Sequence, residues 1–342
     1  MEVRRHSPTA QAAYHDLVSL LLDDATSDIS GKPTARERGG RKYWYDRYRI
    51  GGEIKERYLG EDSAALRDRI VRHSALRDAK DDRRRERARL VRLLRGERFL
   101  GLDGTTGSLV GALSKAGTFR LGGVLVGTIA FRLYEGELGL RLSLDQVAMT
   151  KDIDIASFEK LSLAIGESAL PSLDQILTDF DFEPVPSLDP GKIWRWAQSS
   201  GEMHIEFLTP SFNDREDLRA LTALGVSAQS LHHLNYLIAE PIPAAAVYRD
   251  GILVQLPRPE RFAIHKLIVA DRRRNGPDSQ KSRKDLSQAE LLIATLAEDR
   301  PSDLAAAYED AMARGPRWRE RIEASLKRSK GARERILAAI NP

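Results

Sequence analysis

The stretch that decides the fold reads Leu121-Gly122-Gly123-Val124-Leu125-Val126-Gly127-Thr128 and, after an apolar segment, Thr150-Lys151-Asp152-Ile153-Asp154-Ile155. The first part predicts a strand running into a Gly-Thr turn that opens a helix. The second predicts a strand with carboxylates on alternate positions. Side chains alternate along a strand, so Asp152 and Asp154 point one way while Ile153 and Ile155 point into the core. Two neighbouring carboxylates repel unless something positive sits between them. A hard cation, Mg²⁺ or Mn²⁺, supplies that charge and leaves coordination positions for substrate phosphates.

The turn has its own role. Gly127 has no Cβ, so the backbone there can be approached closely by a triphosphate. Thr128 stands at a helix N-terminus, where free N–H groups and the helix dipole favour an anion. A third element follows in Met203-His204-Ile205-Glu206-Phe207-Leu208-Thr209-Pro210. Glu206 lies between apolar neighbours on a strand and shares its wet face with His204. If that strand lies beside the Asp152–Asp154 strand, three carboxylates converge next to a phosphate cradle. Metal ions held there would bridge substrate oxygens and offset charge in a phosphoryl- or nucleotidyl-transfer transition state.

The 342 residues carry no cysteine and a formal net charge of +4. Disulfides and thiolate metal sites are therefore excluded. The length predicts two or three domains. No long uncharged apolar run predicts a membrane span, and Met1-Glu2-Val3-Arg4-Arg5-His6 lacks a signal-peptide core, so a cytoplasmic protein is expected.

Residues 1–100 read as a helix over 8–24, a polar linker over 27–40, a β-hairpin turning at Gly51-Gly52, and a long charged helix or helical pair over 63–98. Tyrosines interleaved with basic residues in Arg41-Lys42-Tyr43-Trp44-Tyr45 could grip nucleic acid or could pack on a neighbouring helix. The run containing Arg83, Arg84, Arg85, Arg87, Arg89, Arg92, Arg95 and Arg98 suits phosphates, or forms a solvated arm that packs on the catalytic core or a second subunit. Residues 101–257 then form the central unit and 258–342 a helical lobe. The central unit holds short helices at 108–115, 128–134 and 172–180, with a loop or added hairpin at 135–149 and a polar excursion at 157–167. Its further strands are expected at 182–185, 194–197 and 203–208, before a hairpin over 248–256 turning at Asp250-Gly251. The lobe is expected to open with a helix at Pro257-Arg258-Pro259 and to hold helices over 281–298 and 303–340, broken near Gly315-Pro316 and Gly331.

The order Val126-Gly127-Thr128, then Asp152-Ile153-Asp154, then Glu206 resembles the polymerase-β-like nucleotidyltransferase superfamily. The resemblance covers roughly residues 100–300 and is strongest at the first two elements. Within that superfamily the chain is distantly similar to bacterial nucleotidyltransferases of abortive-infection and toxin–antitoxin systems. Thr128 stands where Ser is commoner, and Glu206 where Asp is commoner. The resemblance implies an α+β fold: a nucleotidyltransferase core with a mixed sheet, an N-terminal hairpin and helical arm, and a C-terminal helical lobe. It implies transfer of a nucleoside monophosphate from a nucleoside triphosphate to a hydroxyl of RNA or protein. Asp152, Asp154 and Glu206 would be the catalytic metal ligands. Gly127 and Thr128 would hold the nucleotide. A basic group from the lobe would bind the triphosphate, with Lys266 first and Arg273 second. Asp285, in Lys284-Asp285-Leu286, either orients that group or is a surface residue of a first helical turn. His265 reads as a packing or capping residue. The competing classes are a non-catalytic nucleic-acid binder or scaffold that keeps this fold, and a kinase.

Overall fold

The computed structural model describes residues 4–25, 31–50, 53–78, 80–142, 152–164, 167–187, 189, 191–200, 203–213, 215–275, 277 and 279–341. It begins with α1 (Pro8–Ala25), followed by β1 (Lys32–Arg38), β2 (Arg41–Ile50) and β3 (Glu53–Glu61), then α2 (Ala64–Asp78) and α3 (Lys80–Gly96). The expected linker over 27–40 is thus corrected from residue 32 onward. β1 pairs antiparallel with β2 along its whole length, and β2 with β3. β1 is an edge strand whose only apolar side chains are Pro33 and Ala35, so its alternation is faint. Gly39 and Gly40 both have positive φ, +61° and +74°, as the tight β1–β2 turn requires. The Gly51-Gly52 turn, residues 143–149 and Thr150-Lys151 lie outside the described residues.

The arginine-rich run does not project into solvent as a free arm. Leu90, Val91 and Leu94 of α3 bury themselves with Ala13, Tyr14 and Leu17 of α1. Arg83 donates to Asp24 at 2.7 Å, and buried Arg87 pairs with Asp24 and, at 3.1 Å, with Asp250. Arg84 lies 3.5 Å from Asp250, while Arg85 and Arg89 pair with Asp82 and Glu86 on their own helix.

The central unit opens with α4 (Gly104–Lys115), which begins before the Ser108 expected because Asp103 caps it, accepting from Thr106 N at 3.0 Å. Next come β4 (Val124–Val126), α5 (Gly127–Glu137), β5 (Asp152–Ala156), α6 (Glu159–Ala164) and α7 (Leu173–Asp179). Helix α5 runs on through residues expected to be loop, and α6 occupies the expected polar excursion. β6 (Phe182–Pro184), β7 (Arg195–Gln198) and β8 (His204–Pro210) match the expected strands. β9 (Leu218–Leu221), β10 (Val226–Leu231) and the short α8 (Leu234–Leu237) were not anticipated. The hairpin before the lobe is wider than expected, pairing β11 (Ile242–Ala246) with β12 (Ile252–Leu256).

The sheet runs β4-β5-β8-β10-β9, with β7 joining β8 and β6 joining β7. β5 is parallel to β8 and β8 to β10, while β4 is antiparallel to β5. Mixed pairing and segregated helices make the chain α+β. The lobe comprises α9 (Pro259–Arg272), α10 (Ser279–Asp299), α11 (Pro301–Ala313), α12 (Pro316–Arg328) and α13 (Lys330–Ile340). Three of these open on proline at the first helical turn, where its missing N–H has no intrahelical partner to lose. Gly331 lies within α13, so the last break falls at Ser329 instead. Among the described residues no helix is long and apolar enough to cross a membrane.

Two histidines are locked into the packing of the lobe. The ring of His233 meets Trp318 edge-on at 4.5 Å, and His265 lies on α9. Burial, followed by Arg272 and Arg321, pulls His233 down to about 4. Burial, followed by His233 and Lys266, pulls His265 down to about 3. Both are neutral in the folded chain and gain a proton near their ordinary value of ~6.5 when it unfolds. Their contribution is therefore complete above pH ~6.5 and is lost as pH falls toward 4 and 3. Urea unfolding is expected to show stability dropping by up to about 1.4 kcal/mol per pH unit for each histidine below that point. His265→Gln should flatten that slope.

Candidate active site

The site is built on the register of two parallel strands. Asp152 lies beside His204, Asp154 beside Glu206, and Ile153 beside Ile205. Neighbours in register share a face, so Asp152, Asp154 and Glu206 lie on one strip, with Ile153, Ile155, Ile205 and Phe207 fully buried beneath. The sequence places these carboxylates in separate segments, and the fold brings them side by side.

The crowding has electrostatic consequences. Asp154 is pushed up to about 7 by burial first, then by Glu206 and Asp152, with Lys266 and Arg273 acting against the rise. Burial also raises Glu206, which leans on Arg195 at 3.3 Å. Asp152 meets His204 Nδ1 at 3.3 Å. Among the described residues no three His, Asp or Glu side chains form a ready-made metal cage. The donor set nevertheless fits a hard divalent cation. Asp152, Asp154 and Glu206 offer carboxylate oxygens, and their mutual repulsion is the cost such an ion would relieve.

The Gly-Thr turn sits directly against these carboxylates. β4 ends with Val126 opposite Asp154, and α5 starts at Gly127. Gly127 has φ +67°, and a Cβ there would stand 2.0 Å from Asp154 Oδ2. Its bareness thus makes room for the carboxylate itself, a role that its expected function as a phosphate cradle did not include. Thr128 is buried at the first turn of α5. Its hydroxyl accepts a hydrogen bond from Lys284 Nζ at 3.1 Å. Burial, then Lys266, lowers the Lys284 ammonium below its ordinary range.

Lys284 is the residue that the sequence reading missed. It reaches the turn from α10, far along the chain, and only its place one residue before Asp285 could have drawn attention to it. Lys266 is not a surface lysine, being 7 % exposed and donating to Asp285 at 2.5 Å. Arg273 donates to the other oxygen of Asp285 at 2.7 Å. Asp285 is fully buried rather than a surface residue. Burial works against its charge, but Lys266 and Arg273 more than offset that and hold it below the usual carboxylate range. One buried carboxylate thus orients both expected triphosphate contacts.

Residues 104–313 match the family described as nucleotidyltransferase. Residues 12–68 match a domain of unknown function. A crystal structure of an antigenic nucleotidyltransferase-like protein from Paracoccidioides brasiliensis aligns with 61 % of this chain and 94 % of that chain, at 14 % identity and a TM-score of 0.29. At that score the likeness carries no argument. No curated protein matches the chain.

The contact between Gly127 and Asp154 can be tested without any assay of activity. In Gly127→Ala the new methyl must displace Asp154 while the backbone keeps a left-handed conformation. Thermal unfolding is expected to show a loss of about 2–3 kcal/mol. Thr128→Ala, which adds no atoms, should cost less.

Proposed function

This chain belongs to the nucleotidyltransferase family matched over residues 104–313, and from that premise we propose that it transfers a nucleoside monophosphate from a nucleoside triphosphate to an acceptor hydroxyl. The observation that carries the reading is the in-register strip of Asp152, Asp154 and Glu206 against Gly127. Asp152, Asp154 and Glu206 would hold Mg²⁺ or Mn²⁺. Such ions would supply positive charge beside the phosphates and offset the charge that builds in the transition state.

The chain's own residues perform the rest. The N-terminal turn of α5 and Lys284 receive the phosphates, as free N–H groups and a neighbouring ammonium do. Lys266 and Arg273, fixed by Asp285, neutralise the triphosphate from the lobe side. The acceptor oxygen bonds to the α-phosphorus, the bond from that phosphorus to the bridging oxygen breaks, and pyrophosphate leaves. A carboxylate oxygen of Glu206 takes up the acceptor's proton. Arg195, held on Glu206 at 3.3 Å, limits where that carboxylate points. The acceptor is a hydroxyl of RNA or protein. A role in defence or in a toxin–antitoxin pair extends the resemblance at Gly127-Thr128 and Asp152–Asp154.

The test compares α- and γ-labelled nucleoside triphosphates with Mg²⁺ and total cell RNA or protein. Label is expected to move from the α position only. Asp152→Asn should lower the rate roughly a thousandfold, about 4 kcal/mol of barrier. Lys284→Ala should raise KM for the triphosphate more than it lowers kcat. Transfer of γ-label would identify a kinase, and RNA binding without any transfer would identify a non-catalytic binder.

A further inference from the structure

We propose that the face of the β1–β2–β3 sheet turned away from α2 is a platform for single-stranded RNA. The proposal deepens the acceptor side of the reading above, and rests on it only for the use to which the bound strand is put.

The two faces of this sheet differ in chemistry. Trp44 and Leu59 pack on Leu66 and Ile70 of α2, which gives the sheet its apolar side. Residues directly opposite one another in an antiparallel pair share a face. Arg36 lies opposite Tyr43, Thr34 opposite Tyr45, and Lys32 opposite Arg47. Tyr45 in turn lies opposite Tyr58, and Arg47 opposite Glu56. The second face therefore carries Tyr43, Tyr45 and Tyr58 surrounded by basic groups.

These rings form a cluster. Tyr58 lies 5.5 Å from Tyr45 and 6.3 Å from Tyr43, centroid to centroid, and the Arg36 guanidinium stands 5.5 Å from the Tyr45 ring. The face is open, with Tyr58 55 % and Ile54 54 % exposed. Among the described side chains it holds five cations, Lys32, Arg36, Arg38, Arg41 and Arg47, against two carboxylates, Glu56 and Glu61. The carboxylates are engaged by Arg36 at 2.7 Å and by Arg41 at 3.7 Å. An excess of positive charge remains around the exposed ring of Tyr58 and the half-buried rings of Tyr43 and Tyr45.

Charge alone would suit any polyanion. The rings narrow the choice, because a flat aromatic face stacks on bases that are not already paired within a helix. Arginine planes beside them add stacking and phosphate contact together. Among nucleic acids, RNA presents unpaired bases in loops and at ends. The α3 arginines lack what the sheet adds: Lys80–Gly96 contains no aromatic residue, and its buried Arg87 and neighbouring Arg83 are committed to Asp250 and Asp24.

Fluorescence anisotropy of the full chain tests the proposal, using a labelled unstructured RNA of roughly 20 nucleotides, its DNA counterpart and its RNA duplex. The RNA strand is expected to bind more tightly than the duplex and at least as tightly as the DNA strand. Tyr58→Ala should weaken binding about tenfold, and Tyr58→Phe, which keeps the ring, should not. Arg38→Glu should lower the slope of log affinity against log salt by about 0.7 or more. Arg85→Glu makes the same charge change on α3 and should leave affinity near that of the unaltered chain. Asp152→Ala should bind RNA normally, so a failure of transfer and a failure of binding are separate results. Absence of salt-dependent RNA binding, preference for the duplex or for DNA, or equal losses in Arg85→Glu and the sheet variants would overturn it.

Discussion

The in-register pairing of β5 with β8 is the constraint on which the rest of the site depends. A slip of one residue would turn Glu206 into the core and bring Ile205 or Phe207 to the surface. The energies favour the observed register. The rise of Asp154 to about 7 corresponds to at most about 4 kcal/mol of unfavourable crowding and burial. Ile153, Ile155, Ile205 and Phe207 are fully buried on the other face. At about 1.5–3 kcal/mol each, they contribute roughly 6–12 kcal/mol toward the same alignment. The apolar face sets the geometry, and the polar face is held in a charged arrangement that it would not adopt alone. That is the condition in which a bound cation gains most.

A second constraint ties the lobe to this strip. Lys281, Lys284 and Asp285 lie within about one turn of α10, so one helix face delivers them together. Lys284 stops at Thr128, while Asp285 stays buried and collects Lys266 from the middle of α9 and Arg273 from its C-terminal cap. Removing Asp285 would leave two cations without their shared partner, a loss that usually exceeds what forming the pair contributed. The positive side of the site is therefore a property of the α9–α10 packing, not of independent surface lysines.

How much of this was legible follows from range. β5, the start of α5 and β8 could be read because two-residue alternation and a Gly-Thr turn are local patterns. Their adjacency could not be read from either strand and came only as a conditional. Lys284 had only its place beside Asp285 as a local mark, since its partner Thr128 lies 156 residues away. Lys266 was ambiguous for the same reason: a lysine on a helix looks exposed until a buried carboxylate on the next helix is seen to satisfy it. β1 went unread because an edge strand whose only apolar residues are Pro33 and Ala35 has the composition of a linker. β10 alternates, with Val226, Ala228 and Ser230 buried, but two of those side chains are small and one is polar, so its pattern is faint.

The basic N-terminal region shows why charge along a sequence is a poor guide to charge available to a partner. The densest arginine run lies on α3, where Arg83 and Arg87 fasten that helix to Asp24 of α1 and to Asp250 beside the β11–β12 hairpin. Those arginines hold elements of the fold together, and a partner could recruit them only by displacing carboxylates already in contact. The sheet has fewer basic residues, yet its strand pairing spaces them around tyrosines on an open face and leaves cations in excess. Helical periodicity draws arginines toward acids one turn away or on packed neighbours, whereas strand pairing sets Arg36 opposite Tyr43 and Lys32 opposite Arg47. The second pattern, with less total charge, is the one that sets cations beside aromatic rings.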